Sequence, residues 1–544
     1  MSKANLKPIV TKLRSSIIKG ISGKLEKYGF DDMGKLVIDK PLSSYDENKR
    51  SNLIALFEAK KINNKKQYTE YIHNSSRTFL HILICFKIME KRGIMRSLIS
   101  KTIGIDIYNE IVPNFVTVNP MAYEEFIKRY EKEILKLAEE DNSEECEEYY
   151  QFLYLISSLK RHMASEVPLL FGDYEYSIIQ PDYDDLKEIL YVISQISSEE
   201  YEESDFFGWI YQYWVDVTEK EVKEAKKNKS VSYASEMLYL VLEGLEDEQA
   251  TYGEYYTPRW VVKYIVDKSL EMYEASGDKK IEEIKLLDPA CGAGNFLVYA
   301  FDAFYERYER IHPEWKTEEI VNTILAKNIY GVDIQREPLQ VSAINLWIKA
   351  KEKNINIDVN RLNLTKVNIL CTNSLYKWES EKEYRQISIF DTPESLEEKC
   401  FSSEDIGKLL LAKDGQQRNS AIGFFQNKYE IIVMNPPYLG LRRMKKETAD
   451  FLKQYYPDNY NNLFEAFVIR ANQLLDKNGI CGFVGSDTFL TLDSFDNLRM
   501  VILRDFRLKK LIKLGINVFD GPTVRAAILM LQKNLNNSTF PSTK

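Results

Sequence analysis

The sequence has few of the residues that would tie it to a disulfide-bonded, metal-binding or membrane-spanning protein. Its 544 residues include six cysteines and four histidines, and no two cysteines form a CxxC pair. Neither a zinc site nor a disulfide framework is therefore predicted. The apolar run at residues 79–86 is too short to cross a bilayer, and no charged leader with a cleavage site opens the chain. We expect a cytoplasmic protein that uses no metal and binds no membrane.

An excess of positive charge is also missing. Asp and Glu number 82 against 73 Lys and Arg, which gives a net charge of −9. This balance argues against a wholly basic nucleic-acid binder but is compatible with a local basic groove. Hydrophobic residues make up 44% of the chain and aromatic residues 12%. This content supports a substantial core and excludes a disordered chain.

The pattern of glycine, proline and apolar residues changes near residue 250. Before it, glycine and proline are sparse and period-2 alternation is hard to find, which predicts a mostly α-helical domain over residues 1–205 and a helical connector over 206–250. After it, short apolar runs alternate with amphipathic helices, which predicts an α/β domain over residues 251–535. Residues 376–428 are charged and weakly patterned and are predicted to be an insertion.

The apolar runs of the second half predict the strands of a parallel, doubly wound sheet. The runs are IKLLDPACGAG, NIYGVDIQ, VNILCTNSL, YEIIVMNPPY, GICGFVGSDTF, LIKLGI and RAAILMLQ. Ligands of such sheets bind at the carboxyl ends of the strands, and the unusual residues of this chain fall at those ends.

A glycine-rich turn follows the first of these runs. Gly292 and Gly294 come after Asp288 and lead into an apolar helix. Glycines allow a ligand to approach the backbone closely, and the helix that follows offers free amides to an anionic group. A purely structural tight turn explains two glycines equally well. The missing third glycine and the absence of a GK[ST] sequence argue against a dinucleotide site or a P-loop.

Asp333 ends the next run, 45 residues beyond Asp288. A carboxylate at the end of the second strand can accept both hydroxyl groups of a ribose. The alternative is an ordinary N-cap for the helix that follows.

The turn Asn435-Pro436-Pro437-Tyr438 follows the buried run IIVM. Its two prolines form a rigid turn without backbone donors. The Asn435 side-chain oxygen and the Pro436 carbonyl can both accept hydrogen bonds from one planar amino group, while Tyr438 stacks on the attached ring. This arrangement suits an exocyclic amine of a nucleobase. The alternative is a turn that only ends a strand.

Taken in order, DPACGAG, Val332-Asp333, the NSL at residues 373–375 and NPPY resemble the motifs of the gamma-class DNA adenine-N6 methyltransferases. TYGEYYTPRWVVKYIV resembles the leading cofactor motif of that family, and residues 462–490 and 515–531 resemble its later strands. The similarity covers about half of the chain. Within the family it is greatest to the PglX methyltransferases of BREX phage-defence systems and to the methylase part of type IIG restriction-modification enzymes. The resemblance implies a Rossmann-like doubly wound sheet, preceded here by the helical N-terminal domain.

The resemblance also implies roles for individual residues. Thr257 is expected to close over the methionine end of S-adenosyl-L-methionine, Asp333 to hold the ribose and Ile334 to pack on the adenine. Asn373 stands where many relatives carry Asp. The full set expected to bind the cofactor is Tyr255, Thr257, Pro258, Asp288, Pro289, Ala290, Gly292, Gly294, Asp333, Ile334 and Asn373.

The expected reaction is methylation of a flipped adenine in double-stranded DNA. The residues expected to hold the adenine are Asn435, Pro436, Pro437 and Tyr438, with Phe519 packing on the base. Cytosine-N4 enzymes usually carry Ser or Asp before the two prolines, so the asparagine favours adenine. Cytosine-C5 chemistry needs a nucleophilic cysteine, and Cys291 is better explained as a packing residue. The cations expected to contact DNA phosphates are Arg442, Arg443, Lys445 and Lys446, for which a solvated loop is the alternative.

Three other functions are compatible with parts of the sequence. Glutamine methyltransferases of release factors share NPPY but not the GEYYTPRW element. Nuclease activity would require residues 57–60 (FEAK) to imitate an ExK motif, although the same run also fits a helix. A non-enzymatic DNA-binding or scaffold subunit would require a degenerate pocket, and the motifs are intact.

The last predicted strand leaves only a polar tail, residues 536–544, where relatives continue into a target-recognition domain. We therefore expect sequence recognition to come either from a segment missing here or from a separate specificity subunit, as in type I systems. Other defence-system proteins are further expected partners. The chain alone is expected to bind the cofactor but to methylate DNA poorly. A bifunctional type IIG restriction-modification enzyme is the alternative.

Overall fold

The computed structural model describes residues 6–38, 41–94, 175–252, 257–275, 279–354, 368–376, 424–516, 518–519 and 525–534, with scattered positions between 149 and 171. The chain divides into two compact units, Met1–Gln249 and Ala250–Lys544. None of the helices in the described ranges is long and apolar enough to cross a membrane.

The described part of the first unit is mostly helical, as the sequence predicts, and contains one isolated antiparallel bridge between Phe30 and Leu36. Its helices are α1 (Leu6–Lys27), α2 (Ser44–Ala59), α3 (Lys65–Lys91), α4 (Tyr183–Ile193), α5 (Ser198–Glu202), α6 (Phe206–Val215), α7 (Glu219–Asn228) and α8 (Tyr233–Tyr252). Hydrogen bonds join α1, at the start of this unit, to α6, which lies about 200 residues later in the sequence. The buried Arg14 of α1 donates hydrogen bonds to the carbonyls of Tyr213 and Trp214 at the end of α6. The aromatic residues of α6 are therefore core residues of this unit. The division at residue 205 between a domain and a connector stays a prediction.

The second unit is a seven-stranded sheet with helices around it. Its helices are α9 (Arg259–Glu274), α10 (Asn295–Ile311), α11 (Thr317–Thr323), α12 (Arg336–Lys353), α13 (Lys446–Tyr455), α14 (Leu463–Leu474) and α15 (Asp496–Asp505). Its strands are β1 (Leu286–Asp288), β2 (Ile329–Asp333), β3 (Asn368–Cys371), β4 (Tyr429–Met434), β5 (Leu475–Ser486), β6 (Phe506–Gly515) and β7 (Ala526–Lys533). They lie in the order β3-β2-β1-β4-β5-β7-β6.

All seven predicted runs form strands, and the expected doubly wound sheet is confirmed, but the prediction that every strand is parallel is wrong for β7. β1 to β5 pair in parallel, whereas β7 pairs antiparallel with both β5 and β6. The parallel order ends there because only ten residues separate β6 from β7, too few for a crossover helix.

The two faces of the sheet are covered by different helices. On β5, a Cβ at Gly482 would lie 2.8 Å from a methyl group of Ile265 in α9. The neighbouring Cys481 and Phe483 point the other way, into a core cluster that also contains Phe464 of α14. This alternation buries the central strands on both sides, which is the arrangement of a doubly wound fold.

Parts of the sequence predictions lie outside the described residues. Most of the predicted insertion at residues 376–428 and the polar tail at 536–544 are among them, as is Tyr255 of the expected cofactor site. The predicted domain boundaries therefore stay predictions. Within α2, Glu58 is exposed, and Lys60, directly after the helix, forms an ion pair with Glu175, so the FEAK run adopts the helical alternative.

Candidate active site

The order of the strands brings three of the predicted site residues to one edge of the sheet. β1 lies between β2 and β4, and it pairs with both in parallel. Asp288 is the last residue of β1, Asp333 is the last residue of β2, and Asn435 directly follows β4. Because parallel strands end at the same edge, residues far apart in the sequence share one site.

The glycine turn after β1 requires both of its glycines, for different reasons. Gly292 has φ of 49° and Gly294 has φ of 85°, conformations that L side chains rarely adopt. A Cβ at Gly294 would lie 2.4 Å from Oγ of Ser342, so this glycine allows α10 to pack against α12. A Cβ at Gly292 would meet no atom of the described chain within 4 Å. The turn at Gly292 therefore faces open space, where a bound group has room to contact the backbone.

Two carboxyl groups stand beside this turn: Asp288 is buried and Asp333 is partly buried. Asp333 accepts hydrogen bonds from the backbone N–H of Gly292 and of Gln335, both at 2.8 Å, one on each carboxyl oxygen. Asp288 accepts a hydrogen bond from the N–H of Ala290 at 3.1 Å. Burial raises the pKa of Asp333 to about 6 and raises the pKa of Asp288 well above its usual range. Each carboxyl oxygen has a second lone pair, so Asp333 can still accept two hydroxyl groups.

The other residues expected around the cofactor occupy the surrounding loops. Pro289 and Ala290 form the turn after β1, and Ile334 lies partly buried after Asp333. Asn373 follows β3, where its side-chain oxygen accepts a hydrogen bond from the N–H of Leu375 at 3.0 Å. The predicted acceptor of Asn373 is thus already engaged with its own turn. This oxygen has a second lone pair that can still accept a hydrogen bond, so binding of the cofactor by Asn373 stays a prediction.

The NPPY turn is linked by side-chain hydrogen bonds to two other segments. The amide nitrogen of Asn435 donates to the hydroxyl of Thr257 at 2.9 Å. The hydroxyl of Tyr438 contacts the side-chain oxygen of Asn435 and also lies 2.9 Å from the carbonyl oxygen of Val484 in β5. Thr257 is buried, and Pro258 beside it precedes α9. The structure therefore places one predicted cofactor residue against the predicted catalytic asparagine.

Aromatic rings surround the tyrosine of this turn. The rings of Phe464 and Phe519 each lie with their centroids 6.3 Å from that of Tyr438. The position of Phe519 beside Tyr438 is compatible with the predicted packing on a base. Phe464 was not among the predicted site residues, although its place in NLFEAF after an aromatic loop was a signal for it.

Two further residues near the turn were also missed. Val484 supplies the carbonyl that faces Tyr438, a contact that strand periodicity does not reveal. Glu465 in the first turn of α14 is fully buried, and one of its oxygens accepts a hydrogen bond from the amide of Asn459 at 3.3 Å. Burial raises the pKa of Glu465 to about 7. The sequence signal for a buried carboxyl group is the position of Glu465 within the apolar run LFEAFVI.

The predicted phosphate contacts lie on the surface after the NPPY turn. Leu441–Arg443 form a short 3₁₀ turn, and the N–H of Leu441 bonds to the carbonyl of Asn461 at 2.9 Å. The exposed cations of this segment are Arg442, Arg443, Lys445 and Lys446. Among the residues described, no group of three or more His, Cys, Asp or Glu side chains is arranged to hold a metal.

Comparisons with known proteins point to one group of enzymes. Residues 327–519, roughly a third of the chain, match the family model of the Eco57I restriction-modification methylase. The adenine-specific methyltransferase PglX of Lacticaseibacillus casei (strain Zhang) is 25% identical over 442 residues, which cover 67% of this chain and 35% of that protein. The adenine-specific methyltransferase BrxX of Escherichia coli O9:H4 (strain HS) is 24% identical over 431 residues, 63% of this chain and 34% of that protein.

The type II restriction enzyme and methyltransferase RM.Eco57I of Escherichia coli is 26% identical over 314 residues, which cover 53% of this chain and 29% of that protein. The alignments thus span about a third of the length of these relatives. The matched segment contains Asp333 at the end of β2 and the NPPY turn after β4. The resemblance predicted from the motifs is confirmed: the chain is similar to the adenine-specific methyltransferases PglX and BrxX and to the restriction-modification methylase Eco57I.

Proposed function

We propose that this chain transfers a methyl group from S-adenosyl-L-methionine to N6 of an adenine turned out of a DNA duplex. The observation that carries the proposal is the position of Asn435, which directly follows β4 and so lies at the same edge of the sheet as Asp288, the last residue of β1 before the glycine turn. The similarity to adenine-specific methyltransferases supports the same substrate.

The residues at the ends of β1 and β2 fit the cofactor. The turn at Gly292 faces open space, and Asp333 and Asp288 supply acidic groups for hydroxyl and ammonium donors. When bound, S-adenosyl-L-methionine supplies a methyl group made electrophilic by its sulfonium, so the protein needs no covalent nucleophile. Cys291 is buried and its pKa is raised well above the usual range by burial. It stays a neutral thiol, which disfavours attack on cytosine C5.

The NPPY turn would act on the target amine by position and electrostatics. The Asn435 oxygen and the Pro436 carbonyl would accept the two amine hydrogens, which favours a tetrahedral nitrogen with a free lone pair. Tyr438 would stack on the base and so offset part of the few kcal/mol that base flipping costs. The methylated amine is acidic enough to release its proton to water, so no general base is required.

The exposed cations after the turn would bind the DNA backbone. Four cations follow the NPPY turn, here called the target turn, within eight residues and would contact phosphates without reading sequence: Arg442, Arg443, Lys445 and Lys446. Recognition of a sequence would then depend on other groups, including a separate specificity subunit as in type I systems. The methylation would serve a phage-defence or restriction-modification system. DNA cleavage is not part of the proposal, because its candidate segment is helical.

The test combines binding and sequencing. Cells of the native host, which supply any separate specificity subunit, would carry either the wild-type gene or Asn435→Ala, and single-molecule sequencing of their DNA would locate methylated adenines. We expect methylated adenines in one sequence context with the wild type and none with Asn435→Ala. Calorimetry with the purified proteins should give similar affinities for S-adenosyl-L-methionine. Methylation that persists with Asn435→Ala would refute the assignment of the site, and a wild type that neither binds the cofactor nor methylates DNA would refute the function.

A further inference from the structure

The side-chain amide of Asn435 lies between two hydroxyl groups. Its nitrogen donates to the buried hydroxyl of Thr257 at 2.9 Å, and its oxygen is in contact with the hydroxyl of Tyr438. Thr257 precedes α9, 178 positions earlier in the chain. The contact therefore joins the leading cofactor motif to the target turn through one side-chain hydrogen bond.

The direction of this amide matters for the proposed reaction. An asparagine side chain has a donor end and an acceptor end of nearly the same shape, and a half-turn exchanges them. An amine with two hydrogens needs the acceptor. A turned amide would point its own N–H groups at the amine and repel it. The acceptor end is directed to the target only while the nitrogen is held on the opposite side.

Tyr438 is poorly suited to hold the amide during the reaction. Its hydroxyl is hydrogen-bonded to the side-chain oxygen of Asn435, which is the acceptor that the target amine needs. The same hydroxyl lies 2.9 Å from the carbonyl oxygen of Val484 and can donate there instead. An exchange of one acceptor for the other would free Asn435 without leaving the tyrosine hydroxyl unbonded. Thr257 bonds to the opposite end of the amide, so its contact is compatible with a bound target.

We propose that Thr257 is a positioning residue for methyl transfer, which holds the amide of Asn435 with its oxygen toward the target amine. The Tyr438 hydroxyl donates a hydrogen bond to that oxygen until the target amine binds, and it then donates to the carbonyl of Val484 instead. This inference rests on the proposed function and adds to it a residue that acts through Asn435. It differs from the role that family resemblance implies for Thr257, which is contact with the cofactor.

The two roles of Thr257 predict different kinetics. Thr257→Val keeps the shape of the side chain but removes the hydroxyl. Loss of a buried hydrogen bond is expected to lower the single-turnover methylation rate about tenfold to hundredfold at saturating cofactor and DNA. The affinity for S-adenosyl-L-methionine should change less than about threefold, and Thr257→Ser should recover most of the rate. Ser269→Ala, which removes a buried hydroxyl within α9, is the matched control and should behave like the wild type.

A cofactor contact would give the opposite result. Thr257→Val would then weaken cofactor binding in calorimetry and leave the rate at saturation unchanged, which would overturn the proposal. Should the valine variant fail to fold, Thr257→Ala and Thr257→Ser support the same comparison. Tyr438→Phe tests the exchange: removal of the competing hydroxyl should tighten binding of target DNA severalfold, and weaker or unchanged binding would refute it.

A measurement without catalysis separates this inference from the proposed function. The side-chain N–H signals of Asn435 can be assigned in an NMR spectrum by their loss in Asn435→Asp. Their exchange with solvent should be slow in the wild type and in Thr257→Ser, and at least tenfold faster in Thr257→Val. Equal exchange in all three proteins would overturn the positioning role, whether or not the chain methylates DNA. Protection that depends on Thr257 in a protein without methyltransferase activity would instead refute only the function.

Discussion

The buried carboxyl group of Glu465 makes the stability of the second unit depend on pH. Glu465 lies in the first turn of α14 with no exposed surface, and the amide of Asn459 donates to it at 3.3 Å. Burial favours the neutral form and raises the pKa to about 7, from 4.5 for an ordinary glutamate. We expect Glu465→Gln, which has the same size but no charge, to stabilise the unit above neutral pH.

The expected magnitude follows from the two pKa values. A pKa that is higher in the folded state favours folding fully below pH 4.5, and this contribution is lost as the pH rises through about 7. Each pH unit between the two values is worth about 1.4 kcal/mol, so the complete loss is about 3 kcal/mol. We therefore expect about 2 to 3 kcal/mol at pH 8 and less than about 1 kcal/mol at pH 5.

Urea unfolding of the wild type and Glu465→Gln at pH 5, 6, 7 and 8 would measure this difference. Because the chain has two compact units, hydrogen exchange of peptides within residues 456–475 would report on the relevant unit alone. Glu447→Gln, which changes an exposed carboxyl in the first turn of α13, is the matched control. It should show no comparable dependence on pH.

A variant that is less stable than the wild type at pH 8 would refute the reasoning, because it would mean that the carboxylate is needed in its charged form.

Glu465 is also connected to the candidate active site. Asn459 and α14 hold the loop before Leu463, whose N–H bonds to the carbonyl of Leu439 at 2.9 Å, directly after Tyr438. Ionisation of Glu465 should therefore loosen the target turn before it unfolds the unit.

Three further predictions concern the cofactor site and the DNA surface. Gly292→Ala should cost only about 1 to 2 kcal/mol of stability in a urea titration but weaken cofactor binding in calorimetry, whereas Gly294→Ala, which adds a clash with α12, should cost about 2 to 4 kcal/mol. The affinity for S-adenosyl-L-methionine should fall up to tenfold per pH unit below about pH 6, because Asp333 becomes protonated there. An affinity that does not change between pH 7 and pH 5 would show that the Asp333 carboxylate does not contribute to binding. Replacement of Arg442 and Arg443 by Gln should weaken binding to all DNA sequences and reduce the slope of log affinity against log salt by about 0.9 for each lost phosphate contact; an unchanged slope would assign these cations to a solvated loop.

The strands and the ends of the strands could be predicted from the sequence because their signals are local. Each apolar run in the second half forms a strand, and Asp288, Asp333 and Asn435 end or follow three of them. Parallel pairing brings such ends to one edge, so their proximity follows from the fold class alone. The antiparallel pairing of β7 between β5 and β6 could not be predicted in this way. It depends on which neighbours the last two strands pair with, and the apolar pattern of a strand does not specify its neighbours.

Side-chain pairing across long sequence distances is a different kind of information. The family resemblance of the motif that contains Thr257 implies a position near the cofactor, but it does not specify which atom the Thr257 hydroxyl contacts. That partner is set by how α9 packs on β4 and β5, through side chains such as Ile265 that face the sheet. A hydroxyl that can bond either to a ligand or to Asn435 has the same sequence signature in both cases. The assignment therefore depends on the geometry of the folded chain, in which the nitrogen of Asn435 lies 2.9 Å from that hydroxyl. This distance is the reason that we propose Asn435, rather than a ligand, as the partner of Thr257.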